Sequence, residues 1–314
     1  MSHSVRIGVA GAGVFGSHHA AKYAAHPGAA LIGVFDPDRD RATELAARHA
    51  ATAYSAYSDL LQDSDAVVIA APAVAHFDLA SAALAAGRHV FVEKPLAESL
   101  EPALVLERRA RDAGVVLQVG HQERYVLAET GLFDRDRAPQ VVRCVRECKG
   151  TGRCEDVSVV QDLMIHDIDI ARRLTDAPIK SVNASGDFND AEAEITLIDE
   201  TIISLKASRR AAAPDRRMTL IYDDGVVEFD FFQRTLSNST PARLRAPISG
   251  DDAPLAFKDP LGAGADQFLH AIREREAPMV SGADGLAAVE WASKILHAMS
   301  LAEHSGEQTE RLRA

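Results

Sequence analysis

Two places in this chain hold residues that could move a proton. Glu93-Lys94-Pro95 follows the apolar run His89–Val92. In an open parallel sheet, ligands lie beyond the carboxyl ends of the strands, so Lys94 falls at the crevice, where an amine can orient a hydroxyl and share its proton. The second place is QDLMIHDIDIARRL. Asp162, His166, Asp169 and Arg173 recur there at steps of four, three and four, so one helix face carries them, with Leu163, Met164, Ile170 and Leu174 on the other side. A carboxylate beside an imidazole fixes the tautomer and suits the ring to act as a general base toward an alcohol. Asp169 and Arg173 read as an ion pair on a solvated face. The Asp162/His166 spacing also fits a metal, but no third ligand is evident, so no metal is expected.

A third motif could hold a dinucleotide. GAGVFG sets Gly11, Gly13 and Gly16 in GxGxxG spacing, directly after an apolar run and at the head of a helical segment. Gly11 permits the tight turn, Gly13 lets backbone approach a pyrophosphate, and Gly16 allows close helix packing. The helix start, with Val14 and Phe15, offers free N–H groups to phosphate. Asp36 ends the second apolar run. A carboxylate there can accept from both ribose hydroxyls and repels the 2′-phosphate of NADP, which favours NAD. Arg39 close by could neutralise Asp36 in part, which leaves NADP open, and Asp-Pro favours a turn in any case.

The elements that position these motifs follow one rhythm over the first 120 residues. Apolar runs at Arg6–Ala10, Leu31–Phe35, Ala66–Ala70, His89–Val92 and Val115–Val119 alternate with helical segments Val14–Ala25, Arg39–His49, His76–Ala86 and Glu101–Ala113. That alternation predicts a parallel sheet covered on both faces, with Gly87 and Gly114 as helix caps. After Gly120, charges enter the strand-like runs Val141–Lys149 and Ala193–Ser208, and Met218–Phe232 reads as a hairpin around Asp224-Gly225. A half-exposed antiparallel meander fits, with helices over Asp162–Leu174, Gly264–Glu274 and Asp284–Leu301 and a surface loop over Pro241–Pro260. The fold class expected is α/β: a dinucleotide-binding domain over 1–121, then an α+β domain over 122–314 with a large open, mostly antiparallel sheet.

Length and composition agree with that. At 314 residues, 47% hydrophobic and 25% charged, the chain reads as an ordinary soluble globular protein of two domains. Lys plus Arg is 34 against 46 for Asp plus Glu, a net charge of −12 that argues against nucleic acid or an acidic membrane as partner. Locally, Arg143, Arg146, Lys149 and Arg153 stand against one acid, Glu147, and could hold a pyrophosphate, or could be exposed strand and loop charges. Alternation along a strand forbids all four from facing one ligand. Cys144, Cys148 and Cys154 cannot all pair and read as reduced thiols. The opening residues lack a signal-peptide core and the longest apolar stretch is too short for a bilayer, so a cytoplasmic location is expected.

Together these residues resemble the Gfo/Idh/MocA family of oxidoreductases. The marks are Gly11–Gly16, Ala71-Pro72 with His76, Glu93-Lys94-Pro95, Gly120-His121 with Arg124, and Asp162 with His166, spread over nearly the whole chain. The resemblance implies an N-terminal Rossmann domain and a C-terminal sheet that binds substrate and builds a homo-oligomer, dimer or tetramer. It implies Lys94, Asp162 and His166 as the catalytic set: His166 takes the proton of a sugar hydroxyl as the carbon gives hydride to nicotinamide, Lys94 orients substrate and cofactor, and Asp162 positions its neighbours. The implied cofactor set is Gly11, Gly13, Val14, Phe15, Gly16, Asp36, Pro72, His76, Glu93 and Lys94. The implied substrate set is Lys94, Arg124, Lys149, Arg153, Asp162 and His166. The family's usual Thr-Pro-Asn is here Ala71-Pro72-Ala73, and its usual Arg-Phe-Asn-Pro is Arg124-Tyr125-Val126-Leu127, changes that bear on specificity.

A narrower resemblance joins GHQER (Gly120–Arg124), TGR (Thr151–Arg153) and DVSVVQDLMIHDID (Asp156–Asp169) to a proteobacterial branch that includes UDP-N-acetylglucosamine 3-dehydrogenase. Three functions stand open at this point. The first is a nucleotide-sugar dehydrogenase using NAD. The second is a dehydrogenase of a free polyol or sugar such as myo-inositol. The third is an NAD-sensing protein without turnover, which would need neither Lys94 nor His166.

Overall fold

A computed structural model describes residues 4–150 and 156–311, with side chains through Ala302. It divides into two compact units, 1–125 with 258–286 and 126–257 with 287–314.

The first unit opens with β1 (Val5–Ala10), α1 (Val14–Ala25), β2 (Ala29–Phe35), α2 (Arg39–Arg48), β3 (Thr52–Tyr54), α3 (Tyr57–Asp63), β4 (Ala66–Ile69), α4 (His76–Ala85), β5 (His89–Val92), α5 (Leu100–Ala113) and β6 (Leu117–Val119). The strands pair in the order β3-β2-β1-β4-β5-β6, all parallel. That is the order of dinucleotide-binding sheets, with its switch point between β1 and β4. Every residue of β4 is buried, as a strand covered on both faces must be. Gly87 and Gly114 both take the left-handed conformation expected of them. The pair β3 and α3 has no counterpart in the expected rhythm. β3 is a three-residue edge strand whose side chains are mostly exposed, so it lacks the apolar run that marks its neighbours.

The second unit begins within α6 (Glu123–Glu129) and continues through β7 (Val141–Lys149), a π-helical turn (Val160–Met164), α7 (Ile165–Leu174), β8 (Ile179–Gly186), β9 (Asp190–Leu197), β10 (Ile202–Ser208), β11 (Arg210–Tyr222), β12 (Gly225–Asp230), β13 (Thr235–Asn238) and most of the short α8 (Leu255–Lys258). Its seven strands run β13-β12-β11-β7-β10-β9-β8. The β11–β12 hairpin turns at Asp224-Gly225 as expected, with Tyr222 paired to Gly225. One neighbour pair departs from the expected meander: β7 and β10 are parallel. Val142, Cys144 and Arg146 of β7 lie in register with Ile203, Leu205 and Ala207 of β10, and all six are buried. The opposite face carries Arg143, Glu192, Glu194 and Lys206 around an open hollow.

The chain then contributes α9 (Pro260–Glu274) to the first unit, followed by the start of α10 (Gly282–Arg311). Asp259 caps α9, accepting from the Gly262 N–H at 3.0 Å, with Pro260 in the first turn. Ala265, Phe268 and Leu269 join the core formed by Ile7, Val9, Ala20, Tyr23 and Phe91. Lys22 of α1 pairs with Asp259 at 2.7 Å, and Arg273 donates to the Gly28 carbonyl at 2.6 Å. A helix joining a sheet from far along the chain leaves no local signature, so residues 258–286 do not announce this membership in their sequence. Among the described residues no helix is long and apolar enough to cross a membrane.

Candidate functional site

The carboxyl ends of β1, β2, β4 and β5 gather most of the expected cofactor residues along one edge of the first unit. After β1 the chain turns at Gly11, with φ +104° and no room for a Cβ, which would lie 2.5 Å from the Ala70 carbonyl oxygen. A Cβ on Gly16 would fall 1.8 Å from the Gly11 carbonyl oxygen, so the helix start and the turn pack backbone to backbone. Gly13 differs: nothing lies within 4 Å of a Cβ added there. It caps α1 with no side-chain bond, and Val14 and Phe15 beside it are exposed. An uncapped helix start with open space before it, and no acid in its first turn, suits a phosphate group. Asp36 holds this loop. Its carboxylate accepts from the Ala12 N–H at 2.6 Å and from the Asp38 N–H at 2.8 Å.

Beyond β4, Pro72 is exposed and leads into a short 3₁₀ turn over Ala73–Ala75. His76 opens α4 at 1% exposure. Its Nδ1 lies 2.7 Å from the Pro95 carbonyl oxygen and its Nε2 2.9 Å from that of Ala71. Burial pulls its pKa below the usual histidine value, against the two carbonyls, which push it up. His76 thus ties the turn after β4 to the residue that follows Lys94. On the other side of Lys94, Glu93 is buried, with its Oε1 2.7 Å from Nε2 of the fully buried His19 and 3.2 Å from the donating Nε2 of Gln122. Burial pushes the Glu93 carboxyl up, but the His19 hydrogen bond and the electrostatic influence of His19, Lys94 and His76 outweigh it, so its pKa lies below the usual value. Lys94 itself is half-buried, and its peptide bond to Pro95 is cis. No motif in the sequence marks His19 as the partner of Glu93. Its signal is faint: one of two adjacent histidines on a helix otherwise rich in alanine.

In the second unit, Asp162 lies in the π turn and His166 in the first turn of α7. The expected single α-helix over Asp162–Leu174 is therefore divided, because a π turn bonds i to i+5 and rotates the side chains before it relative to those after. Asp162 gains a partner that spacing does not predict: Arg209 donates from Nη2 to its Oδ2 at 3.0 Å. The solvated face expected for Asp169 is absent, since Asp169 is 1% exposed; Arg173 lies over the Phe133 ring, 5.2 Å from its centroid. His166 is half-buried. Among the described residues no group of three His, Cys, Asp or Glu side chains could hold a metal.

The basic cluster on β7 does not survive as one surface. Arg146 is 1% exposed and faces α7, forking onto Asp167 with Nε–Oδ2 3.0 Å and Nη2–Oδ1 2.8 Å. Arg143 and Lys149 are exposed on the other face, where Glu192, Glu194, Glu147 and Lys206 balance the charge. Period-two alternation is the cause. Arg153 and Cys154 lie outside the described residues, while Cys144 and Cys148 are free thiols, the first fully buried with its pKa pushed up by burial. Arg124, expected at the substrate, is buried and donates to Asp284 Oδ1 at 2.8 Å and to the Met279 carbonyl at 3.3 Å. Burial pushes the Asp284 carboxyl up, but Arg124 and Ser281 bring it below the usual range. That engagement gives Arg124 a holding role within the first unit.

Similarity to known proteins supports the family and the fold. The Gfo/Idh/MocA family model, described as "Oxidoreductase family, NAD-binding Rossmann fold", matches residues 5–121. UDP-N-acetylglucosamine 3-dehydrogenase of Acidithiobacillus ferrooxidans is 34% identical over 296 residues, covering 90% of this chain and 93% of the relative. A solved structure of that enzyme, GnnA, superposes with a TM-score of 0.86 over 95% of this chain and 98% of the other, at 34% identity. The scyllo-inositol 2-dehydrogenase (NAD(+)) of Bacillus subtilis is 29% identical over 315 residues, covering 90% and 91%.

Proposed function

The chain belongs to the Gfo/Idh/MocA oxidoreductases, and we propose that it oxidises a secondary hydroxyl of a nucleotide sugar, the 3-hydroxyl of a UDP-N-acetylglucosamine-like substrate, with NAD as oxidant. The observation that carries this reading is the 34% identity to UDP-N-acetylglucosamine 3-dehydrogenase over 93% of that protein. A free polyol such as an inositol is the second reading, favoured by the similarity to scyllo-inositol 2-dehydrogenase. In either case the first unit takes the cofactor. The second takes the substrate, and its open sheet face is the surface for a homo-oligomer.

Gly13 with Val14 and Phe15 at the start of α1 would hold the pyrophosphate, Asp36 the adenosine ribose, and Pro72 and Lys94 the nicotinamide half. When bound, NAD supplies the acceptor for the hydride leaving the carbinol carbon. His166 takes the hydroxyl proton, so that the C–H pair leaves as hydride and the O–H pair becomes the carbonyl π bond. Lys94 donates a hydrogen bond to the reacting oxygen, and Asp162 fixes the orientation of its neighbours. Glu93 and His76 act behind Lys94 as positioning residues. Lys149 stays in the proposed substrate set, together with Arg153. Arg124 leaves it, because it is buried against Asp284.

The test is a panel assay of NADH formation with UDP-N-acetylglucosamine, other UDP-sugars, inositols and free hexoses. The highest kcat/KM on a UDP-sugar is expected. An inositol turned over best would replace the first reading by the second, and no turnover of any member under NAD-saturating conditions would sink both. Cofactor choice gives a separate prediction. With its carboxylate fixed by two backbone N–H groups, Asp36 faces a 2′-phosphate with like charge, so NAD is expected to exceed NADP in kcat/KM by at least about tenfold, or ~1.4 kcal/mol. Asp36→Ser should narrow that ratio. Equal use of both cofactors by the wild type would contradict the assignment.

A further inference from the structure

We propose that Arg209 is a positioning residue that holds Asp162 ionised and aimed, which leaves the proton-accepting role to His166. The inference rests on the reading of Asp162 as part of the catalytic set. Arg209 sits at the corner between β10 and β11, buried at 8% exposure. Its Nη2 donates both to Asp162 Oδ2 at 3.0 Å and to the Val157 carbonyl at 2.9 Å. Its Nη1 reaches Asn189 Oδ1 at 3.4 Å, and its guanidinium lies 5.9 Å from the centroid of the Phe188 ring. The backbone locks the same corner, since the Arg209 N–H donates to the Asn189 carbonyl at 2.8 Å. One side chain therefore joins the sheet corner, the β8–β9 loop, the approach to the π turn and the acid within that turn.

The chemistry follows from the residue type. A guanidinium stays protonated throughout the working pH range, so it sets a permanent positive charge against Asp162 in a largely buried place. A charge-assisted bond there favours the ionised acid and one rotamer. Asp162 then supplies a fixed negative charge and does not itself exchange the substrate's proton. The π turn gives the bond its reason. A wider turn displaces Asp162 from the face that α-helical spacing would assign it, and π turns gather where side chains must be re-aimed for function. A lysine could carry the charge but could not divide its donors between Asp162 and the Val157 carbonyl with a rigid fork.

The test is a double-mutant cycle with pH profiles, run on the full-length protein with NAD and the best substrate of the panel. Arg209→Gln is expected to lower kcat by about 10²-fold through misplacement of Asp162, with KM for NAD unchanged. Its acid limb in kcat/KM, which reports protonation of the acceptor His166, should move up by about one pH unit, because the Asp162 carboxylate four residues away is left without the positive charge that offsets it. Arg209→Lys should keep the wild-type limb and recover part of the rate. Placed on Asp162→Asn, Arg209→Gln should cost less than about threefold more, since its effect runs through the acid already removed. Additive losses, or an Arg209→Gln enzyme with wild-type rate and limb beside a crippled Asp162→Asn, would overturn the inference and leave the catalytic reading standing. Wild-type turnover by Asp162→Asn alone would instead remove the catalytic reading. If Arg209→Gln does not fold, Arg209→Lys carries the same cycle: a loss that vanishes on Asp162→Asn supports the inference, and one that persists there defeats it.

Discussion

A Lys94→Ala variant is expected to bind NAD less than about tenfold more weakly, through its lost contact to the nicotinamide half, yet form NADH about 10²–10⁴-fold more slowly, and His166→Ala to lose activity on a similar scale. The expectation comes from how the fold treats the lysine. Glu93 and Pro95, its two neighbours, are both tied down by buried histidines, His19 through a 2.7 Å bond to the carboxylate and His76 through 2.7 Å to the carbonyl. A carboxylate held below its usual pKa in a buried place keeps a fixed negative charge beside Lys94. Charge alone should not rescue the variant, so Lys94→Arg is expected to stay slow, because the longer planar fork places its donors elsewhere. Stopped-flow NADH absorbance gives the hydride-transfer rate, and quenching of protein fluorescence gives NAD affinity. An unchanged transfer rate in Lys94→Ala would end the proposed mechanism. A loss of NAD binding equal to the loss of rate would reduce Lys94 to a cofactor ligand with no part in proton transfer.

The largest expected effect on stability lies elsewhere, in the Arg146–Asp167 pair. Arg146→Met should destabilise the second unit by about 3–5 kcal/mol, because it strands the Asp167 carboxylate against the sheet without its fork. Both partners are nearly inaccessible, with side-chain exposures of 1% and 3%, so water cannot replace the lost bonds. Removing both charges should behave differently. In Arg146→Met/Asp167→Leu the desolvation cost of both ions is relieved, and stability is expected to return to within about 1–2 kcal/mol of wild type or to exceed it. Guanidinium unfolding followed by circular dichroism compares the three proteins. A single variant as stable as wild type would mean the pair is not buried as described. Asp167 directly follows His166 on α7, so activity per folded molecule in the double variant reports whether the pair also orients the imidazole.

The sequence legibly carried the parallel half of the fold. Apolar runs such as Ala66–Ala70 advertise β4, and the glycine spacing marks the turn after β1, because both are local consequences of burial and backbone sterics. The proposed catalytic residues Lys94, Asp162 and His166 stand out in the sequence for the same reason: each sits in a short motif of consecutive residues. The charged residues of β7 were legible only in part. Alternation correctly forbade four basic residues on one face, but nothing local told which face α7 would cover.

What local pattern and family resemblance carried was therefore the kind of protein: a dinucleotide-binding sheet, an α+β partner, and an oxidoreductase, with Lys94 and His166 as the residues proposed for proton transfer. Tertiary structure alone decided who holds those groups. His19 meets Glu93 across 74 residues, and Arg209 meets Asp162 across 47. Arg124 is drawn to Asp284 across 160. Such partners are chosen by strand register and helix packing between distant segments, and side-chain identity along the chain carries no record of that distance. The physical rule behind each is common: a buried polar group must find a partner, and the fold supplies whichever one its topology brings within 3 Å or so.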